Sequence, residues 1–379
     1  MASNSRHLGR LLGTDTKIKT DDIAGGVQLG LSFYTDEASL PTEGNILGAK
    51  AYAELEGTLH LWNGYGWGPI AVTAWDYTPP PFGLFQGSSY GYITAGQIDP
   101  GANVIRQFSF VSDGNATNIG VLSTSRKNQP AGNSSDVAGY TAGGSSGNNY
   151  LSRLATIEKF PFANPVSSAT VTATLAATGS LYKTIGHSSI NNSVGYTSTG
   201  HVDPANTVTM MIQKFSFIAD TNATYVGELI STSAMNSPQA ATPQQSPEYG
   251  YVSSMPINPS STFRNKFSFS SDGNSVNVAT VAKAGGYGGG TSSEVSGYAN
   301  FNNIVIKFPF ASDANTVDVG FLNVSRFYVA GVSSTASGYH AGETGGNTTY
   351  EKYSFASDGN ATVVGNLASA NYLMCGQQV

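Results

Sequence analysis

Six times between residues 108 and 355 an aromatic residue is followed two positions later by phenylalanine. The pairs are Phe108/Phe110, Phe160/Phe162, Phe215/Phe217, Phe267/Phe269, Phe308/Phe310 and Tyr353/Phe355. Successive copies begin 52, 55, 52, 41 and 45 residues apart. In an extended chain residues i and i+2 share a face, so each pair loads one side of a strand with aromatic surface. A short unit with such a face cannot bury it alone and must stack against its neighbours. Lys precedes the pair in five copies, and Gln107 replaces it in the first.

Three further landmarks recur in step. Gly-Tyr stands at 91–92, 139–140, 195–196, 250–251, 297–298 and 338–339, each ahead of an aromatic pair. "ATNIGVL", "ATYVGELI", "TVDVGFL" and "ATVVGNL" follow the pairs, and "QPAGNSS" (129–135) and "YVAGVSS" (328–334) precede Gly-Tyr. Each unit therefore reads as four short strands. The "SDGNAT" between the third and fourth is turn chemistry, because Asp-Gly and Asn accept the positive φ of tight turns. The period and the four strands predict propeller blades, and six units make a ring. The aromatic pairs are expected to pack between blades rather than to form a ligand cage.

The order "AGxSS", "GYxxGG", "IxKFSF", "VGxL", innermost strand first, resembles kelch-type blades over roughly residues 80–379, although several copies lack the glycine doublet and the outer-strand Trp is absent. The C-terminal "NYLMCGQQV" aligns with an innermost strand, Cys375-Gly376 over Ala330-Gly331. The resemblance therefore implies an all-β, six-bladed kelch-like β-propeller whose C-terminal strand closes the first blade.

Composition bounds the function. Charged residues are 11% of the 379, against about a quarter in an average soluble domain. Net charge is −6 without a Lys/Arg cluster, which disfavours nucleic-acid binding. The single cysteine, Cys375, excludes an internal disulfide. No apolar run approaches membrane-spanning length, and the N-terminus lacks the apolar region of a signal peptide. His7, His60, His187, His201 and His340 have no metal-ligand spacing and read as scattered surface residues. A phosphate loop is absent from the sequence. "SDGN" offers Asp113, Asp272 and Asp358 as hard ligands for calcium, but turn formation is the stronger reading. The expectation is a protein without cofactor, metal site or enzymatic activity.

Residues 1–75 carry none of these landmarks. "KAYAEL" and "TLHLWNGYGWGPIAV" read as strands around Glu56-Gly57 and Asn63-Gly64 turns, giving a small β-hairpin module with Trp62 and Trp67. The expected organisation is an attachment segment over 1–25, the hairpin module over 26–75 and the propeller over 76–379. The front-end pattern resembles a module near the start of tail and virion proteins of marine and cyanobacterial phages. The repeat line "KFSFASDGNAT" resembles repeats in structural proteins of the same phages. The resemblance implies a virion protein, a tail fibre or appendage that is homo-oligomeric in the particle. Arg6, Leu8, Arg10, Leu11 and Leu12 are the candidate docking residues toward other virion proteins. The irregular stretches 231–250 and 283–296, with Gln239, Gln244, Gln245, Tyr249 and Tyr287, are the candidate loops facing a host surface glycan or protein. A capsid decoration or head fibre is the alternative, and a propeller-based glycan depolymerase the third reading.

Overall fold

Strands make up nearly all the regular structure of the computed structural model. It describes residues 31–42, 49–53, 58–62, 65–69, 86–98, 100, 102–148, 152–163, 168–176, 181–202, 207–230, 241–254, 262–281, 283 and 288–379. The chain divides into two units, Met1–Pro80 and Pro81–Val379.

In the first unit β1 (Leu31–Tyr34), β2 (Lys50–Ala53), β3 (Thr58–Trp62) and β4 (Trp67–Pro69) form one sheet in that order. β2, β3 and β4 are the expected antiparallel run. β1 joins it in parallel, an addition that turn signals could not announce, because parallel partners are linked by a crossover. Trp62 and Trp67 face each other across β3 and β4, ring edge to ring face at 5.5 Å. Trp67 Nε1 donates to the Pro41 carbonyl at 2.7 Å, which fixes the indole at both ends. The two expected turns, Glu56-Gly57 and Asn63-Gly64, lie outside the described residues.

The second unit is the six-bladed propeller. Blade 1 contributes β5 (Tyr90–Thr94), β6 (Val104–Ser109) and β7 (Thr117–Val121). Blade 2 holds β8 (Ala131–Ser134), β9 (Ala138–Ala142), β10 (Thr156–Pro161) and β11 (Thr170–Thr174). Blade 3 holds β12 (Ile185–Ser189), β13 (Val194–Val202), β14 (Thr207–Ser216) and β15 (Thr224–Glu228). Blade 4 holds β16 (Ala241–Gln245), β17 (Tyr249–Ser254), β18 (Phe263–Ser268) and β19 (Val276–Ala279). Blade 5 holds β20 (Gly290–Ser292), β21 (Ser296–Phe301), β22 (Ile304–Pro309) and β23 (Val317–Phe321). Blade 6 holds β24 (Ala330–Ser333), β25 (Ser337–Ala341), β26 (Thr349–Ser354) and β27 (Thr362–Asn366). The last strand, β28 (Cys375–Gln378), pairs with β5 and completes blade 1, as the alignment of the tail predicts. The inner strands pack side by side all the way round, β28 against β8 and β24 included.

The recurrent residues meet at the blade interfaces. Within a blade, the tip of the first aromatic ring of each pair packs on the glycine of Gly-Tyr in the adjoining strand. Phe160 covers Gly139 and Phe267 covers Gly250, and a Cβ at either glycine would collide with the ring. The second aromatic stacks on the Gly-Tyr tyrosine of the preceding blade. Tyr92–Phe162, Tyr140–Phe217, Tyr196–Phe269, Tyr251–Phe310, Tyr298–Phe355 and Tyr339–Phe110 have ring centroids 4.7–5.1 Å apart. Such pairs add about 0.5–1.5 kcal/mol each to the burial of their surface.

Lysine and aspartate repeat across the same seams. Lys159–Asp220, Lys214–Asp272, Lys266–Asp313, Lys307–Asp358 and Lys352–Asp113 each join one blade to the turn of the next. At the seam between blades 1 and 2 both members change together: Gln107 replaces Lys, and the blade 2 turn, "FANPV", has no Asp. The turn also straps the outer edge of the preceding blade. Gly114 and Ala116 donate their backbone N–H groups to Val364 and Asn366, and Asn115 Oδ1 accepts from the Asn366 N–H at 3.0 Å. Gly365 of the outer strand is glycine because the Gly114 carbonyl sits where its Cβ would be. "SDGNAT" is thus more than a bend: it seals part of an edge strand that would otherwise invite pairing.

Candidate functional site

The inner strands surround an axial channel, and their sequence follows from how closely they approach. Gly132, Gly186, Gly290, Gly331 and Gly376 occupy one level of the ring. A Cβ at any of them would strike a backbone carbonyl of the neighbouring inner strand. Blade 4 places Pro243 at this level. Proline is tolerated there because the N–H it lacks would face the channel and not the ladder.

Two residues further along, a second level closes a hydrogen-bonded circle. Each backbone N–H donates to the side chain at the same position of a neighbouring blade. Gln378 donates to Ser134 Oγ (2.9 Å), Ser134 to Ser188 Oγ (2.8 Å) and Ser188 to Gln245 Oε1 (2.6 Å). Gln245 donates to Ser292 Oγ (2.9 Å), Ser292 to Ser333 Oγ (2.9 Å) and Ser333 to Gln378 Oε1 (3.4 Å). All six line the channel, whose volume is about 90 Å³, room for a few water molecules. The residue between the two levels reaches into the next blade and caps the carbonyl of its Gly-Tyr tyrosine. Gln377 Nε2 donates to Tyr140 O, Asn133 Nδ2 to Tyr196 O, His187 Nε2 to Tyr251 O and Gln244 Nε2 to Tyr298 O, at 2.8–3.3 Å.

The histidines are not scattered over the surface. His60, His187, His201 and His340 are all buried, while His7 lies outside the described residues. The carbonyl partner makes Nε2 the protonated nitrogen of His187. Burial holds its pKa down at about 4, opposed by the bond to the Tyr251 carbonyl. His340 falls to about 3, through burial first and then the Arg326 charge. His201 instead stacks on Tyr182 at 4.9 Å, so His187 and His201 serve separate partners. Among the described residues no group of three or more His, Cys, Asp or Glu side chains could hold a metal ion. The Asp113 and Asp358 carboxylates meet lysines of the preceding blades. Burial pushes the Cys375 thiol up to about 11, away from the reactive thiolate.

The candidate loop residues divide. Gln244 and Gln245 are buried in β16, and both line the channel, so the irregular stretch expected over 231–250 ends before Ala241. Tyr249 opens β17, half-buried, with Lys266 Nζ 4.1 Å above its ring. Likewise β20 lies inside the stretch expected as a flexible connector over 283–296. Gln239 and Tyr287 lie outside the described residues, as do Arg6, Leu8, Arg10, Leu11 and Leu12.

The two ends of the channel differ. Where the inner strands turn into the second strands, Gln86 Nε2 donates to the Ser292 and Ser334 carbonyls, both at 3.2 Å, and Gly87 bridges to Ser334. The first described residues of this unit therefore lie at this end. The opposite end carries the connections from each outer strand to the next inner strand. Gln129, Lys183, Tyr328 and Leu373 stand at the same place in four of these connections, all at φ between 54° and 59°. The Tyr328 and Tyr372 rings lie 6.3 Å apart, and Gln97 Nε2 donates to Asn148 Oδ1, on this end as well.

Among the described residues no helix is long and apolar enough to cross a membrane. No protein-family model and no curated protein matches the chain. Among solved structures, the structure of YjhT superposes with a TM-score of 0.53 at 12% identity, over 76% of this chain and 94% of that one. At that identity the similarity is one of fold: this chain is a β-propeller protein of the same general architecture.

Proposed function

We propose that this chain is a virion structural protein, a tail fibre or similar appendage, in which the propeller binds a host surface glycan or protein and the N-terminal part docks to the particle. The observation that carries this reading is the polarity of the propeller. Gln86 and Gly87, the first described residues of the propeller unit, lie at one end, and the flanks of two irregular connections, Ile230 and Ala241 for one and Val281 and Gly288 for the other, belong to the opposite end. A binding head presented on a support needs that arrangement. The wording of the front end and of the repeats, similar to phage virion proteins, supports the same reading. Tyr328, Tyr372, Gln97 and Asn148 offer the ring faces and amides that suit neutral sugars. The role is binding and not turnover, and the particle holds several copies.

Gold-labelled antibody against the propeller is expected to decorate the tail or its fibres in electron micrographs. Purified protein is expected to compete with particles for adsorption to host cells. Label confined to the head would sink the appendage reading in favour of a capsid decoration. Shortening of host surface polysaccharide by the purified protein would show it to be a depolymerase.

A further inference from the structure

Arg106, Arg126, Arg264 and Arg326 are fully buried. Arg126 and Arg326 stand in the connections that lead into blades 2 and 6, and each is matched to a buried carboxylate. Nε and Nη2 of Arg126 donate to Glu158 Oε1 at 3.0 and 2.8 Å, and those of Arg326 to Glu351 Oε1 at 3.0 and 2.7 Å. The Nε–Nη2 edge of a guanidinium is the fork that carboxylates and other anions fit best. In both cases the protein supplies the anion.

Arg264 presents the same fork to no protein acceptor. It lies two residues before Lys266, where the other blades carry Ile105, Ile157, Ile212, Val305 and Tyr350. A cation thus replaces a core residue at the seam between blades 4 and 5. Its guanidinium lies over Phe308, with Cζ 3.5 Å from the ring centroid. Nη1 donates to the Ala314 carbonyl at 2.8 Å, whereas Nε and Nη2 have no partner. The carboxylate that faces this seam, Asp313, already accepts from Lys266 Nζ (2.8 Å) and the Tyr251 hydroxyl (3.1 Å). Two cations therefore share one carboxylate there. By the alternation of β22, Ile306 lies on the same side of blade 5 as Phe308 and supplies no counter-charge. Burial draws the Arg264 pKa down only to about 10, so the charge persists at neutral pH.

We propose that the Nε–Nη2 edge of Arg264 binds a small monovalent anion, a halide or a short carboxylate, sealed between blades 4 and 5. The ion completes the charge balance that Glu158 and Glu351 provide at Arg126 and Arg326. It is a structural ligand that holds the seam between blades 4 and 5, independent of what the loop face recognises.

The test is the unfolding temperature of the full chain at constant ionic strength, with isethionate replaced stepwise by chloride in one series and by acetate in another. Above the dissociation constant, each tenfold increase is expected to raise Tm by roughly 2–4 °C. Arg264→Ile, which restores the residue type of the other blades, should lose that response. Arg264→Met keeps the stem length and serves if the isoleucine variant does not fold. The series that responds tells halide from carboxylate. A wild-type Tm indifferent to both anions overturns the proposal, and so does an equal response in wild type and variant.

Discussion

Gly331 stands where the carbonyl of Gly290 comes so close that only hydrogen fits, and the same holds at Gly132, Gly186, Gly290 and Gly376. Because the obstacle is backbone, it cannot swing away as a side chain tip would. Gly331→Ala is therefore expected to destabilise by about 1–3 kcal/mol, read as a lower urea midpoint with an unchanged m-value. His187 lends itself to a titration. In the folded protein its pKa is about 4, below the 6.5 of an exposed histidine, so between these values the unfolded state binds more protons. Its contribution is thus fully present above pH 6.5 and falls away as the pH drops toward 4, by on the order of 3 kcal/mol. Gln377 and Gln244 make the equivalent bond with an amide, so His187→Gln should keep the cap and flatten part of the acid limb of a stability–pH curve. His340 titrates in the same direction and accounts for acid sensitivity that remains. A variant curve that superposes on the wild type would assign the acid loss to other groups. None of these partners was legible beforehand. The buried glutamates Glu158 and Glu351 do accompany Ser-Arg in the preceding connection, at 125–126 and 325–326, a correlation between repeats that a closer comparison of the copies would have found.

At the level of strands, the regular copies read correctly because an i, i+2 aromatic pattern survives any variation in the loops. Two inner strands did not. β16 was hidden by Pro243 and its Gln run, and β20 by "GGG", since proline and glycine ordinarily mark breaks. Pro243 is tolerated because an innermost strand has one edge open to the channel, and Gly290 is required because a Cβ there would strike the Pro243 carbonyl. The tail was recognisable, and its role is testable. Removal of residues 370–379 takes away β28, Gln377 and Gln378, leaving β5 without its inner partner and the hydrogen-bonded circle open. The shortened protein is expected to melt at least 10 °C lower, in line with the loss of several kcal/mol in a large domain. A synthetic peptide of the missing segment should recover part of the difference by adding the strand back. A melting temperature equal to that of the full chain would show that the ring does not depend on this closure.

For the whole molecule, the ring distributes its stability over repeated seams, so that each blade depends on both neighbours. The lysine–aspartate pairs contribute little individually, about 0–1 kcal/mol, because both partners are partly exposed. Their regular placement instead sets how one blade registers on the next. The division of the chain at Pro80/Pro81 leads to a further expectation. A fragment of residues 81–379 should fold and unfold as the propeller does in the full chain, with Tm within about 2 °C by calorimetry. A large drop would mean that the first unit is part of the propeller's cooperative structure.

Repetition made the class, the blade number, the order of strands within a blade and the closing tail readable without coordinates, since each rests on periodicity and local turn chemistry. Gln244 and Gln245, expected in an irregular loop, belong to an inner strand and line the channel. The unpaired fork of Arg264, the six-membered circle and the burial of the histidines depended on residues some 40–60 positions or more apart in the chain meeting across a seam. No local pattern encodes such a meeting, because the sequence records what each blade is made of and the closed ring decides what each blade faces.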